Sequence, residues 1–228
     1  MTPPASVLTW STAHLRRTDE RDDLTPDPET PVPLSNPNWP QDTTLPPDLP
    51  EQLVFAANFG HVTYTHYPDS GTGWPIMSRA MLHTLLTAGP FPHRTVPVRI
   101  YDPVVYRRDP DPDEHFRARR LETADDRFVV VQLTTHLDVL DEAASGVRRD
   151  PDLPWWVDVD RYAFLPGVTL PPLFRVVTDP AVLFVSRAAR RALAAANLAG
   201  PVYRPIDGDL TQEVADVPVP EPELNEGA

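Results

Sequence analysis

Between residues 51 and 206 the chain alternates two apolar patterns, one of period two and one of helical period. In "FGHVTYTHY" (59–67), Val62 and Tyr64 fall on one side and Thr63 and Thr65 on the other, as in a half-buried strand. "TVPVRIYDPVVY" (95–106) and "RFVVVQL" (127–133) read as further strands, the second apolar on both faces and so central in its sheet. "LFRVV" (173–177) and "AVLFV" (181–185) flank Asp179-Pro180, a turn signal that predicts a hairpin. In "PWWVDVDRYAF" (154–164), Trp155, Val157 and Val159 share one face, while Trp156, Asp158, Asp160 and Tyr162 share the other.

Two stretches carry nearly the same local instruction: "PIMSRAMLHTLLTAGP" from Pro75 and "FVSRAARRALAAANLAGP" from Phe184. Ser78 and Ser186 stand where N-caps belong, each hydroxyl accepting a bond from an orphan amide that is worth about 1 kcal/mol. Met81, Leu82, Leu85 and Leu86 then form one apolar stripe, with Met77 and Leu82 at staple positions; Ala189, Ala192, Leu193 and Ala196 form a thinner stripe. Gly followed by Pro is expected to stop both helices. The echo reads as capping grammar rather than internal duplication, because the interiors differ and no longer repeat surrounds them. These elements predict an α+β fold, a mixed or mainly antiparallel sheet with at least two packed helices.

Composition changes this picture mostly at the ends. From residue 26 to 50, nine of 25 residues are proline, which removes backbone donors and forbids helix or central strand. Residues 1–50 are therefore expected to be a Pro-rich extended segment, 51–206 a single α+β domain, and 207–228 an acidic flexible tail. The net charge of −13 is concentrated outside that domain: eight acids and three Arg in 1–50, seven acids and no base in 207–228, and 18 acids against 17 Arg between. No Arg cluster with interleaved aromatics suggests a nucleic-acid face. The absence of cysteine excludes disulfides, thiolate metal sites and thiol nucleophiles; the absence of lysine excludes a P-loop and Schiff-base chemistry. With no apolar run of membrane-spanning length and no signal-peptide pattern, a cytoplasmic location without a membrane partner is expected.

The templates for catalysis each fail at a named position. His61 and His66 lie five apart in the expected strand and so face opposite ways; no paired-His helix replaces them, and no metal or other cofactor is expected. Asp109, Asp111 and Asp113 open like a calcium loop, but Glu114 stands where Gly is needed and Arg120 where Glu is needed. Neither Ser78 nor Ser186 lies in a G-x-S-x-G elbow, and the Gly-rich "DSGTGW" lacks the lysine of a phosphate cradle. Asp138 and Asp141, with Ser145 four residues on, fit either paired carboxylates for acid–base work or the capped start of a short helix, where Glu142 also suits the positive end. Trp156, Asp158, Asp160 and Tyr162 fit either a half-exposed strand or a partner-binding face, since Trp and Tyr are enriched in binding hot spots.

In order, Pro75-Ile76-Met77-Ser78, Val96-Pro97-Val98, Asp138-x-x-Asp141-x-x-x-Ser145, Leu173-Phe174-Arg175, Phe184-Val185-Ser186 and Gly200-Pro201-Val202-Tyr203 make a succession that resembles immunity protein family eleven, found beside bacterial polymorphic toxins. The likeness runs from about Trp74 to Ile206 and matches poorly in the Pro-rich N-terminal third. It implies a protein that neutralises a cognate toxin, encoded nearby, by direct complex formation; it brings no catalytic set, so no enzyme is expected. Asp138, Asp141, Glu142, Trp156, Asp158, Asp160 and Tyr162 are the candidate partner-binding residues. The rival readings are a hydrolase or transferase built on Asp138, Asp141 and a nearby His such as His136, and a self-assembling scaffold protein.

Overall fold

The structure, a computed structural model, describes residues 4–10, 24–27, 42–44, 49–57, 62, 65–70, 74–101, 122–152 and 156–219. In chain order the strands are β1 (Ala5–Trp10), β2 (Thr25–Pro26), β3 (Leu53–Ala56), β4 (Ile76–Ser78), β5 (His93–Tyr101), β6 (Asp125–Leu133), β7 (Arg148–Arg149), β8 (Val157–Asp158), β9 (Leu173–Phe174), β10 (Phe184–Ser186) and β11 (Pro201–Arg204). The helices are α1 (Arg79–Ala88), α2 (Glu142–Ser145) and α3 (Arg187–Ala195). A mixed sheet runs β2-β3-β5-β6-β4, in which only β3 and β5 are parallel; an antiparallel sheet runs β11-β1-β10-β9; β7 and β8 form a small hairpin. The fold is α+β.

Side-chain alternation explains the layering. In β6, Phe128 and Val130 point into one core with Phe55, Ile76 and Val98, while Val129 and Val131 point into another with Met77, Met81 and Leu85. In the antiparallel sheet, Val185 and Leu8 join that second core, and Phe184, Phe174 and Ala5 point away into a third with Tyr162 and Ile206. The shared central core lies where α1 and α3 pack against each other, with Leu85 and Leu193 both buried. The expectation for "RFVVVQL" holds, since residues 128–133 are all buried and β6 is flanked on both sides. Pro97 is tolerated in β5 because the pairing with β3 begins only at Val98, leaving the backbone on that side unpaired at Pro97.

The two echoing stretches occupy equivalent places, which corrects the expectation that they share only capping grammar. In each, a short strand ends on the capping serine (β4 or β10), a helix follows (α1 or α3) and a second strand returns (β5 or β11). A third strand, β6 or β1, lies between the two and is antiparallel to both. Registers coincide: Ser78 opposes Phe128 and His93 opposes Leu133, as Ser186 opposes Ala5 and Pro201 opposes Trp10. The second unit thus follows the first by 108 positions, 78 to 186 and 93 to 201, with no gap. Even the bond from Val131 N–H to Pro75 O (3.0 Å) has a counterpart from Leu8 N–H to Leu183 O (2.8 Å). The repeat hides in the sequence because its middle strand comes last in one unit and from the chain's first ten residues in the other.

Three further expectations differ from the structure. Helix α1 is capped by Gly89, but α3 ends on Ala196, and Asn197 takes the left-handed conformation (φ 53°) three residues before Gly200. Gly200 (φ 111°) instead permits a close approach: a Cβ there would lie 3.1 Å from the backbone nitrogens of both His66 and Tyr67. Within 59–67 the described residues make no ladder. Val62 sits in a helical turn, the His66 N–H goes to Ala199 O, and its carbonyl accepts from Ser78, so its bonds are divided between two elements. His61, Thr63 and Tyr64 lie outside the described residues, as do Trp155, Asp109, Asp111 and Asp113. Finally, segments outside 51–206 take part in the fold: β1 sits between β10 and β11, β2 pairs with β3, and Val214 pairs with Tyr203.

Candidate functional site

The Asp138–Ser145 motif folds into a strapped turn. The Asp141 carboxylate accepts the Ala144 N–H (2.9 Å) and its backbone N–H donates to Ala163 O (2.8 Å), so it is the N-cap of α2. Buried Ser145 makes a reciprocal pair with Ala163: its hydroxyl accepts the Ala163 N–H (3.0 Å) and donates to the Ala163 carbonyl (3.3 Å). The Ser145 carbonyl then accepts both Asp160 and Arg161 N–H groups, and Arg161 Nε donates to Ala144 O (2.7 Å). Left-handed Gly146 closes the turn, where a Cβ would run into the Asp160 side chain. Of the two carboxylates, Asp141 builds backbone while Asp138 is exposed.

Those same bonds explain why the predicted face of 156–162 does not form. Strand geometry ends at Asp158; at Asp160 and Arg161 the chain leaves the β7–β8 ladder to bond Ser145, and alternation is lost. Tyr162 consequently turns inward, which corrects its assignment to the contact surface. It is buried, its ring stands edge-on to Phe184 at 4.9 Å, its N–H donates to Ile206 O (2.6 Å) and its hydroxyl donates to Asp179 (2.9 Å). Burial, then the Asp179 charge, pushes the Tyr162 phenol well above its ordinary value. Arg175 beneath is almost wholly buried and donates from Nη1 to Pro180 O (2.6 Å) and Ala181 O (2.8 Å), fixing the 179–182 turn; burial lowers its pKa to about 10, so it remains charged at neutral pH.

What remains exposed is an acidic and aromatic surface around α2 and the β7–β8 hairpin. Trp156 is 63% exposed at its edge. Arg148 bridges Asp158 (2.5 Å) and Asp160 (2.8 Å), and Arg149 forks Glu142, whose carboxylate also accepts Thr178 Oγ1 (2.9 Å). Hydrogen bonds from Arg149 and then Thr178 hold the Glu142 carboxyl below its usual range. All of these side chains are wet, so the pairs orient one another without contributing much stability. The surface can present carboxylates and a large aromatic face to a partner.

Sequence reasoning missed a cleft of about 420 Å³ on the other side of the antiparallel sheet, lined by Arg187, Arg190, Arg191, Tyr203, Gln212 and Asp216 among others. Its signal was the spacing of Arg187, Arg190 and Arg191, which puts three guanidinium groups on one face of α3. Among the described residues no cluster of three metal-ligating side chains occurs, and no helix is long and apolar enough to cross a membrane. Set against known proteins, the sequence matches no family profile and no curated protein.

Proposed function

We propose that this chain is an immunity protein that binds a cognate polymorphic toxin and blocks it by direct complex formation, engaging it through Trp156, Asp158, Asp160, Glu142 and Asp138. The observation that carries the reading is Trp156: a 63% exposed indole on a short hairpin, next to exposed Asp158 and Asp160. An aromatic anchor of that size is costly to leave in water and is the residue type from which binding hot spots are most often built. The resemblance to immunity protein family eleven supports the same reading. Its segments fall on the frame of the repeat and on the strapped turn: Ser78 and Ser186 cap, Asp141 and Ser145 brace, and Gly200 permits a close approach. They hold the scaffold beside which the hairpin is presented.

Co-expression tests it. The C-terminal domain encoded by the adjacent upstream reading frame is expressed with and without this chain, survivors are counted, and the tagged chain is pulled down. Rescue with a stable co-purifying complex is expected; an active toxin that is neither bound nor neutralised would refute the proposal.

A further inference from the structure

The cleft beside α3 already holds a ligand of a kind: the chain's own residues 213–216. Glu213-Val214-Ala215-Asp216 runs along the outer edge of β11, where Val214 and Tyr203 exchange both backbone bonds at 2.9 Å. On one side of that bridge Arg204 pairs with Glu213 (2.7 Å); on the other Arg190 forks Asp216 (2.6 and 2.7 Å). Arg190 is itself fixed, lying over the Tyr203 ring at 4.3 Å and donating to Ser6 Oγ (3.0 Å). This is peptide recognition by strand addition: one backbone pairing sets register, and two arginines read acids flanking an apolar residue.

The segment is weakly held for what it covers. Val214 is 43% exposed, and the rest of the attachment is one backbone bridge and two half-buried ion pairs, a small set of contacts for a free peptide to match. Of the cleft's arginines, exposed Arg191 lies one position beyond Arg190 on the same face. A basic, aromatic-floored cleft on a sheet edge, covered by an acidic strand of the same chain, has the form of a binding site occupied in cis.

We propose that the β11 edge and the arginine face of α3 form a docking site for an extended acidic peptide of the pattern acid-apolar-x-acid, with residues 213–216 as its resident competitor. The site is separate from the Trp156 surface and does not depend on the toxin reading. A tethered segment works at an effective concentration on the order of 1 mM, so a free peptide of Kd about 0.1 mM would be weakened roughly tenfold by the intact tail.

The test uses the full chain and a fluorescein-labelled peptide of the sequence DLTQEVADVP, read by fluorescence anisotropy at low salt. Two variants release the tail: E213R/D216R, which breaks both ion pairs, and Val214→Pro, which removes the bridging N–H without adding charge. Both should bind the peptide about tenfold more tightly than the unaltered chain, a scrambled peptide of the same composition should not gain, and Arg190→Ala in the Val214→Pro background should abolish the gain. Equal gain for the scrambled peptide would mean nonspecific charge attraction and overturn the proposal, as would no gain in the Val214→Pro chain.

Discussion

Replacing each capping serine by alanine separates the two halves of the repeat energetically. Ser186 Oγ accepts one bond, from Ala189 N–H at 3.3 Å. Ser78 Oγ accepts the Met81 N–H at 3.1 Å and meets His66 Nδ1 at 2.7 Å, at a position only 1% exposed. Burial and then the Arg127 charge lower the His66 pKa, so at neutral pH the ring is uncharged and shares a hydrogen bond with the hydroxyl. Ser186→Ala should cost about 1 kcal/mol, the worth of a cap. Ser78→Ala should cost about 2 kcal/mol, because it also deprives the half-buried imidazole of its hydrogen-bond partner, a further ~1 kcal/mol. Urea unfolding followed by tryptophan fluorescence near pH 7.5 reads both, and the ~1 kcal/mol gap corresponds to about a fivefold difference in unfolding constant. Equal costs, or a larger cost at Ser186, would refute the reasoning.

Other outcomes follow from the same geometry. A folded-state pKa below the ordinary histidine value means that the contribution of His66 to stability is complete above about pH 6.5 and is lost as pH falls through the folded value; His66→Gln should flatten that part of the stability–pH curve, and an unchanged slope would count against a buried neutral ring. Tyr162→Phe should cost about 1 kcal/mol for the bond to Asp179 and Tyr162→Ala about 3–5 kcal/mol for the cavity against Phe184, measured by denaturation, with toxin affinity unaffected by the Phe variant. Gly200→Ala should cost about 2 kcal/mol or more and Gly208→Ala about 1 kcal/mol, since both have positive φ but only Gly200 is crowded by backbone; comparable melting temperatures would contradict this.

Period and punctuation carried the local elements. The apolar run of β6, the alternation of β5, the hairpin around Asp179-Pro180 and both serine caps were legible because each is decided within about ten residues. The place of β1 was not, since its partners Phe184–Ser186 and Pro201–Arg204 lie near the other end of the chain and "SVLTW" by itself is only a short apolar run. The same limit hid the repeat, whose middle strands are supplied from opposite directions along the chain. At the candidate site, residue types pointed to Trp156 and the acids, but Tyr162 was misassigned because alternation was carried past Asp158. The bonds that end the strand there come from Ser145, thirteen positions before Asp158, and no pattern within "WWVDVDRY" announces them. The Arg190–Asp216 fork joins two segments whose charges read separately as a helix face and an acidic tail.

The central claim is that the exposed hairpin beside α2 holds a toxin, and the affinity of the purified complex tests it most directly. Titration calorimetry with the cognate toxin domain compares the unaltered chain with Trp156→Ala and with D158R/D160R, after circular dichroism has shown that both variants melt as the parent does. The account predicts that each variant weakens binding by at least about tenfold, the scale of a hot-spot residue. Unchanged affinity in both variants would contradict it and move the contact surface elsewhere on the molecule.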